Sequence, residues 1–286
     1  MTSSPTDPQD ADVYDSRAYW SALHRRGGLK AVGQSGLPEG FNRWLYKIGR
    51  GNVVRFLDAH GCGDLSDLAV LDVGSGTGFW IDVWRSMGAA RIDGVELIAE
   101  AVDRLRERHP DSTFTLGDVA DPGLVLRTEP YDAVMIMNVL LHVVEDDRFA
   151  TAASKLAAAV RPGGRLLLAE PALRRPTSFR PPKPGAASLA RPLSRYREVF
   201  EAGGLRMIAV GASTVVGANP IEAGDPLYRW YAALWKRVGR SARRGPRRAN
   251  VLGGFLAALD RVLMATGAAP SGKLILFERP AIPKVP

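Results

Sequence analysis

Between residues 68 and 169 short apolar runs alternate with stretches whose apolar residues recur every three or four positions. Runs at 68–73, 92–96, 113–116, 133–137 and 165–169 predict strands, the fourth apolar at successive positions as in a strand buried on both faces. Stretches 79–87, 99–108 and 149–160 predict helices, the second ending before His109-Pro110 and the third at Pro162-Gly163-Gly164. Strand and helix in alternation predict a parallel sheet covered on both faces. A helix over 194–202 and strands at 205–211 and 273–278 extend the pattern to seven strands.

The flanks read differently. Trp20 and Leu23, then Trp44 and Ile48, have helical spacing, broken by Gly27-Gly28 and Gly36-Leu37-Pro38. The stretch 171–192, rich in Pro, Arg and Ser, reads as a loop. Between the last two strands lies an insertion with two amphipathic helices. Leu227, Trp230, Tyr231, Leu234, Trp235 and Val238 stripe the first, and Leu252, Leu256, Leu259 and Leu263 stripe the second. The basic linker 240–248 between them reads as mobile. The resulting organisation is a disordered tail (1–12), an N-terminal helical cap (13–63), a core (64–216), a helical insertion (217–270) and a final strand with its tail (271–286).

Composition narrows this little. Hydrophobic residues make up 46% and charged residues 24%, as in ordinary globular proteins. No apolar run approaches the roughly 18 residues of a membrane span. The polar start, with Pro5, Asp7, Pro8 and Asp10, does not read as an export signal, and Cys62 is the single cysteine, so a cytoplasmic location is expected. The net charge of +8 is uneven. Residues 70–150 hold 15 Asp/Glu and 7 Lys/Arg, whereas 171–250 hold 16 Lys/Arg and 4 Asp/Glu. Such asymmetry marks either a surface for an anionic partner or a solvated arginine-rich face.

The chemistry concentrates where strands end. In Val70-Leu-Asp-Val-Gly-Ser-Gly-Thr-Gly78 a buried strand meets a glycine turn and then a helix. Glycines let the backbone pass close to a ligand, and the helix start offers free N–H groups. Dinucleotide enzymes use a related loop, so the turn alone does not decide the ligand. Three carboxylates do more. Glu96, 18 residues after Gly78, ends the second strand and can accept the two hydroxyls of a ribose. Asp118 follows the third strand and can accept from an adenine amino group. Asp72 sits just before the glycines, where it can meet an ammonium group. Together they suit a ligand with an adenosine, an ammonium and a sulfonium, and suit a pyrophosphate poorly. The chain also lacks a Tyr-x-x-x-Lys pair, which disfavours one large group of nicotinamide enzymes.

Residues 70–78, Glu96, Gly117-Asp118, the strand Tyr131-Asp-Ala-Val-Met-Ile-Met-Asn138 and 156–170 with Arg161-Pro-Gly-Gly164 resemble the ordered motifs of class I S-adenosylmethionine (SAM)-dependent methyltransferases. The resemblance implies an α/β, Rossmann-like, seven-stranded and mostly parallel sheet with helices on both faces, plus the N-terminal helical segment and the insertion before the last strand. It implies SAM as cofactor. Asp72, Gly74 and Gly76 would line its methionine part, Glu96 would hold the ribose, Asp118 and Val119 would flank the adenine, and Asn138 would lie beside the methionine; Ser75, Gly78 and Leu97 complete the set. His142, four residues after Asn138, faces the reactive end in that family. It is the candidate catalytic base, with a pocket-shaping histidine as the alternative.

The acceptor is less legible. Tyr14, Trp20, Arg43 and Trp44 are candidates to cap the pocket, against simple packing. His24, His60, His109 and His142 lack the short spacings of metal ligands, so no metal is expected. After the fourth strand the chain reads Asn138-Val-Leu-Leu141, without the Asn/Asp-Pro-Pro-Tyr/Phe sequence of many base methyltransferases. A small-molecule acceptor, methylated at oxygen in bacterial specialised or glycan metabolism, is therefore the leading expectation. N- or C-methylation, and an RNA substrate held by residues 236–248, are the alternatives, the latter weakened because no aromatic residue is interleaved with that basic run. The insertion is expected to be a lid over the acceptor, with a homodimer interface or contact with a membrane surface as its other uses.

Overall fold

The computed structural model describes residues 14–34, 36–127, 129–181, 187–218, 220–266 and 271–282. The expected tail, 1–12, lies outside them, as do residues 219 and 267–270 of the insertion.

Five parallel strands form the centre: β1 (Ala69–Val73), β2 (Arg91–Glu96), β3 (Thr113–Leu116), β4 (Tyr131–Met137) and β5 (Val160–Leu173). A two-residue strand, β6 (Arg191–Pro192), pairs with the far end of β5. Two strands, β7 (Arg206–Ala212) and β8 (Gly272–Glu278), close the edge, with β8 antiparallel to both β5 and β7. The order is β3-β2-β1-β4-β5-β8-β7. The expected mostly parallel sheet is thus observed, with the last strand in sequence inserted between β5 and β7.

Side chains alternate across each strand, and two cores result. On one face Leu71, Val134, Ile136, Leu168 and Phe277 pack on α5 (Asp146–Ala158) and α6 (Leu193–Ala202). On the other, Val70, Met135, Leu167 and Leu276 pack on α2 (Glu39–Ala59), α3 (Phe79–Ser86) and α4 (Ala99–Arg108). A shorter helix, α1 (Ser16–His24), is capped by Asp15, whose side chain accepts from Ala18 N at 3.0 Å.

Two expectations need correction. The stretch 171–192 is not uniform loop: β5 continues to Leu173, Phe179 pairs with Ala190, and Arg191 joins β6. The linker 240–248 is not a mobile segment either. Helix α7 (Asp225–Ala242) runs to a three-residue turn, and α8 (Pro246–Ala265) begins at Pro246, whose missing N–H costs nothing there. Ala242 and Ala249 are small enough to bury against Phe41 of α2, and Arg243 Nη1 donates to Gly36 O at 3.0 Å, which fixes the turn. Asp260 of α8 anchors the insertion further. Its Oδ1 accepts from Val215 N (2.7 Å) and Val216 N (2.8 Å), and its Oδ2 accepts from Asn52 Nδ2 of α2 (2.9 Å).

Candidate cofactor and acceptor site

After β1 the chain winds outward to β2 and β3 and then returns to β4 on the other side of β1. Loops leaving β1 and β4 therefore diverge, and in open α/β sheets the crevice between them, at the carboxyl ends, receives ligands. A cavity of ≈ 260 Å³ opens there. Its walls come from four strand ends: Gly74, Ser75 and Gly76 after β1, Glu96 and Leu97 at β2, Asp118 and Val119 after β3, and Asn138 after β4.

The glycine turn needs its glycines. Gly74 has φ +71° and Gly76 φ +55°. A Cβ on Gly74 would come within 2.4 Å of Val139 Cγ2, and one on Gly76 within 2.8 Å of Val32 Cγ1. The first residue is thus pressed against the loop after β4, the second against the N-terminal cap. Asn138 also adopts a left-handed φ of +60°, a conformation asparagine tolerates better than most residues. Its N–H donates to Ala169 O at 2.8 Å.

Glu96 is buried. Its Oε2 accepts from Gly76 N at 2.8 Å and its Oε1 from Ile98 N at 3.0 Å. Burial pushes its carboxyl up, and the N–H bonds of Gly76, Ile98 and Leu97 pull it back. Each oxygen keeps a lone pair free to accept another hydrogen bond. Asp118 is half-buried. Its Oδ1 accepts from Ala120 N at 2.8 Å, and its Oδ2 pairs with Arg148 Nη2 at 2.5 Å, at the start of α5.

Two of the expected cofactor residues stand elsewhere. Asp72 does not reach the cavity. It points to the face of α3, where its Oδ1 accepts from Trp84 Nε1 at 2.8 Å. Burial lifts its carboxyl to about 6 against the pull of the Trp84 and Ser75 hydrogen bonds. Position decides this: on β1 Asp72 alternates with the cavity-lining Val73, so the pleat turns it to the other face. Gly78, with φ +78°, sits at the N-cap of α3 and off the cavity wall; a Cβ there would meet His109 and Leu105.

His142 lines the cavity. Its Nδ1 donates to Ala187 O at 2.5 Å, which leaves Nε2 as the nitrogen with a lone pair. His142 is half-buried, and burial pulls its pKa down to about 4. The loop carrying Asn138 and His142 is held from two sides. Buried Glu170, at the end of the parallel section of β5, accepts from Val139 N (2.8 Å), Leu140 N (2.7 Å) and Leu141 N (3.1 Å). Burial still pushes its carboxyl up to about 7. Arg191 donates to Val144 O (3.2 Å) and pairs with Asp146 at 3.0 Å.

The cap differs from the one expected. Trp20 lines the cavity and meets His142 edge-on, ring centroids 4.8 Å apart. Tyr14, Arg43 and Trp44 do not line it. Tyr14 is buried beside Tyr19, Arg43 is exposed, and Trp44 packs on Gly253 of α8. In their place stand Tyr46, whose hydroxyl donates to Val32 O at 3.1 Å, and Phe79, 4.7 Å from it edge-on. Trp80, Ser16, His24 and Arg148 also line the cavity. A usable signal existed for Phe79 and Trp80, because they directly follow the glycine turn; Tyr46 and His24 had none beyond helical spacing. Among the described residues, none of α7 or α8 lines the cavity, so these helices do not cover it in this arrangement. Trp235, Val238, Leu252 and Leu256 instead pack with Phe41 against α2. Among the described residues no group of histidine, cysteine or carboxylate side chains could hold a metal ion. No described helix is long and apolar enough to cross a membrane.

Residues 70–164 match the family model of the methyltransferase domain. Several solved structures are similar. The [4+2]-cyclase SpnF is 22% identical, covering 80% of this chain and 81% of its own, with a TM-score of 0.48. Magnesium protoporphyrin IX methyltransferase (ChlM) from Synechocystis PCC 6803, with bound SAH, is 21% identical over 60% of this chain and 78% of its own (TM-score 0.45). A SAM-dependent methyltransferase from Mesorhizobium loti is 18% identical over 76% and 93% (TM-score 0.47). No curated protein matches the sequence. Residues 70–164, which match the methyltransferase domain, hold the glycine turn and the strand ends that wall the cavity at the switch point.

Proposed function

We propose that the protein transfers the methyl group of SAM to the oxygen of a small hydroxylated molecule, in specialised or glycan metabolism. The observation that carries this reading is one cavity that gathers two chemically distinct sets of side chains. One is the carboxylates Glu96 and Asp118 with apolar Leu97 and Val119, and the other is the rings of Trp20, Tyr46, Phe79 and His142.

The first set fits an adenosine. Glu96 offers its free lone pairs to the ribose hydroxyls, and Asp118, sharing its charge with Arg148, accepts from the adenine amino group. Val119 and Leu97 supply apolar contact for the base, and Gly74, Ser75, Gly76 and Asn138 border the methionine part. Bound SAM supplies an electrophilic methyl on a sulfonium, which leaves as a neutral thioether. The remaining work falls to the protein: aligning the acceptor and excluding water. Trp20 and Tyr46 close the cavity over the acceptor. His142 Nε2 accepts from the acceptor hydroxyl and holds its oxygen toward the methyl group, with the ring fixed by the Ala187 carbonyl. With a pKa near 4 the histidine is neutral at physiological pH and chiefly orients the acceptor; as the C–O bond forms and the C–S bond breaks, the hydroxyl becomes strongly acidic and its proton passes to Nε2 and from there to solvent.

Incubation with SAM labelled in its methyl group, against a panel of hydroxylated and amino metabolites, tests the reading. Label should appear as an O-methyl product with a hydroxylated acceptor. Label only on amino acceptors would replace oxygen by nitrogen, and label on RNA alone would overturn the small-molecule reading.

A further inference from the structure

We propose that the α7–α8 hairpin docks on an anionic lipid surface. The stripe along α7 is not the one its sequence suggests. Tyr231 turns inward, its hydroxyl donating to Val216 O at 3.2 Å, and Trp235 packs edge-on against Phe41 at 6.1 Å. Leu227, Trp230 and Leu234 remain outside, Trp230 being 61% exposed. On α8, Val251 (73% exposed), Phe255 (65%) and Val262 (64%) form a second uncovered stripe. They project opposite Gly253 and Asp260, the residues that meet Trp44 and Asn52 of α2. Tyr231 and Trp235 turn the other side of α7 inward, so its exposed row borders the buried side, whereas the row on α8 lies opposite the residues that face α2. Single exposed apolar residues are ordinary, but a row on each helix of one packed hairpin, with a tryptophan and a phenylalanine among them, marks a contact surface.

Charge selects the occupant. Residues 225–265 hold nine Lys/Arg and two Asp, a balance of +7 in a chain whose whole net charge is +8. One of the two acids, Asp260, is buried and taken by Asn52, Thr214, Val215 and Val216. Arg237 continues the α7 stripe toward the turn, Arg248 begins the α8 stripe, and Arg244 lies between them, all exposed. A second copy of the chain would bring the same cationic rim against this one, since a two-fold interface pairs each patch with itself. A bilayer with anionic headgroups meets both requirements, taking the apolar rows at the acyl boundary and the guanidinium groups at the phosphates.

Co-sedimentation of the full chain with phosphatidylcholine vesicles, with and without phosphatidylglycerol, tests this at low and high salt. Binding should require the anionic lipid and weaken as salt rises. Trp230→Ser with Phe255→Ser, and separately Arg244→Glu with Arg248→Glu, should each reduce it by roughly tenfold or more. Melting temperature and affinity for S-adenosylhomocysteine should be unchanged, because none of the four residues touches the core or the cavity. No retention on phosphatidylglycerol vesicles, or retention that neither double variant alters, overturns the proposal. A dimer in sedimentation equilibrium that Trp230→Ser with Phe255→Ser dissolves, without vesicle binding, gives the surface to a second copy instead.

Discussion

Gly76 N donates to Glu96 Oε2 at 2.8 Å, tying the turn after β1 to the end of β2. Twenty residues separate the two in sequence, yet the bond makes one rigid unit of the two loops that border the candidate adenosine end. The same carboxylate steadies the start of the next helix through Ile98 N, so a ligand meets an acceptor already held in place.

Glu96→Gln should therefore weaken the fold as well as the site. An amide offers one oxygen where two N–H groups point, and its NH₂ would face either Gly76 N–H or Ile98 N–H. Leaving a buried donor unpaired costs about 1–3 kcal/mol. Urea denaturation should show a loss of that size, and an unchanged unfolding free energy would contradict the coupling of the two turns.

Glu170 makes a prediction about pH. Its carboxyl lies at about 7 in the folded chain, above an ordinary value of 4.5, so the folded state holds the proton more tightly than the unfolded one. The stability this adds is complete below about pH 4.5 and is lost as pH rises through about 7; its size is on the order of 3 kcal/mol. Glu170→Gln carries no such titration. Between about pH 5 and pH 8 the wild type should lose stability relative to the variant in urea titrations, and a difference that stays constant with pH would contradict it.

His142 gives a third prediction. With a pKa near 4, its protonation leaves no acid limb in the rate between about pH 6 and pH 8. His142→Phe keeps a ring against Trp20 and removes the acceptor nitrogen. Turnover should fall by roughly tenfold to a hundredfold while SAM affinity holds. Full activity in the variant would reduce the residue to a wall of the cavity, and a limb near pH 6.5 that the variant abolishes would make it a solvated base.

The strand ends were the most legible part of the chain. Strand periodicity and the glycine turn located β1 to β4 within two residues and the middle of the longer β5, and the acids at β2 and β3 fall on the cavity wall because those positions end strands. Asp72 shows the limit. Its place in the motif suggested a ligand, but the pleat of β1 turns it toward Trp84, a partner 12 residues away that no spacing rule selects. The cap was half legible for a similar reason. Trp20 and Tyr46 reach the cavity only because α1 and α2 pack against it at particular angles, which helical spacing does not fix. The insertion's helices could be seen, but their inward faces depend on Phe41 and Asn52 in a distant helix.

Calorimetric titration of the purified wild-type protein with S-adenosylhomocysteine is the most direct measurement of the central claim, that the cavity at the ends of β1 to β4 is a SAM site. The account predicts saturable binding at one site per chain, with affinity lowered by roughly tenfold to a hundredfold in Glu96→Ala as about 1.5–3 kcal/mol of charged hydrogen bonding is lost. Absence of binding to the folded wild type, or equal affinity in the two proteins, would contradict it.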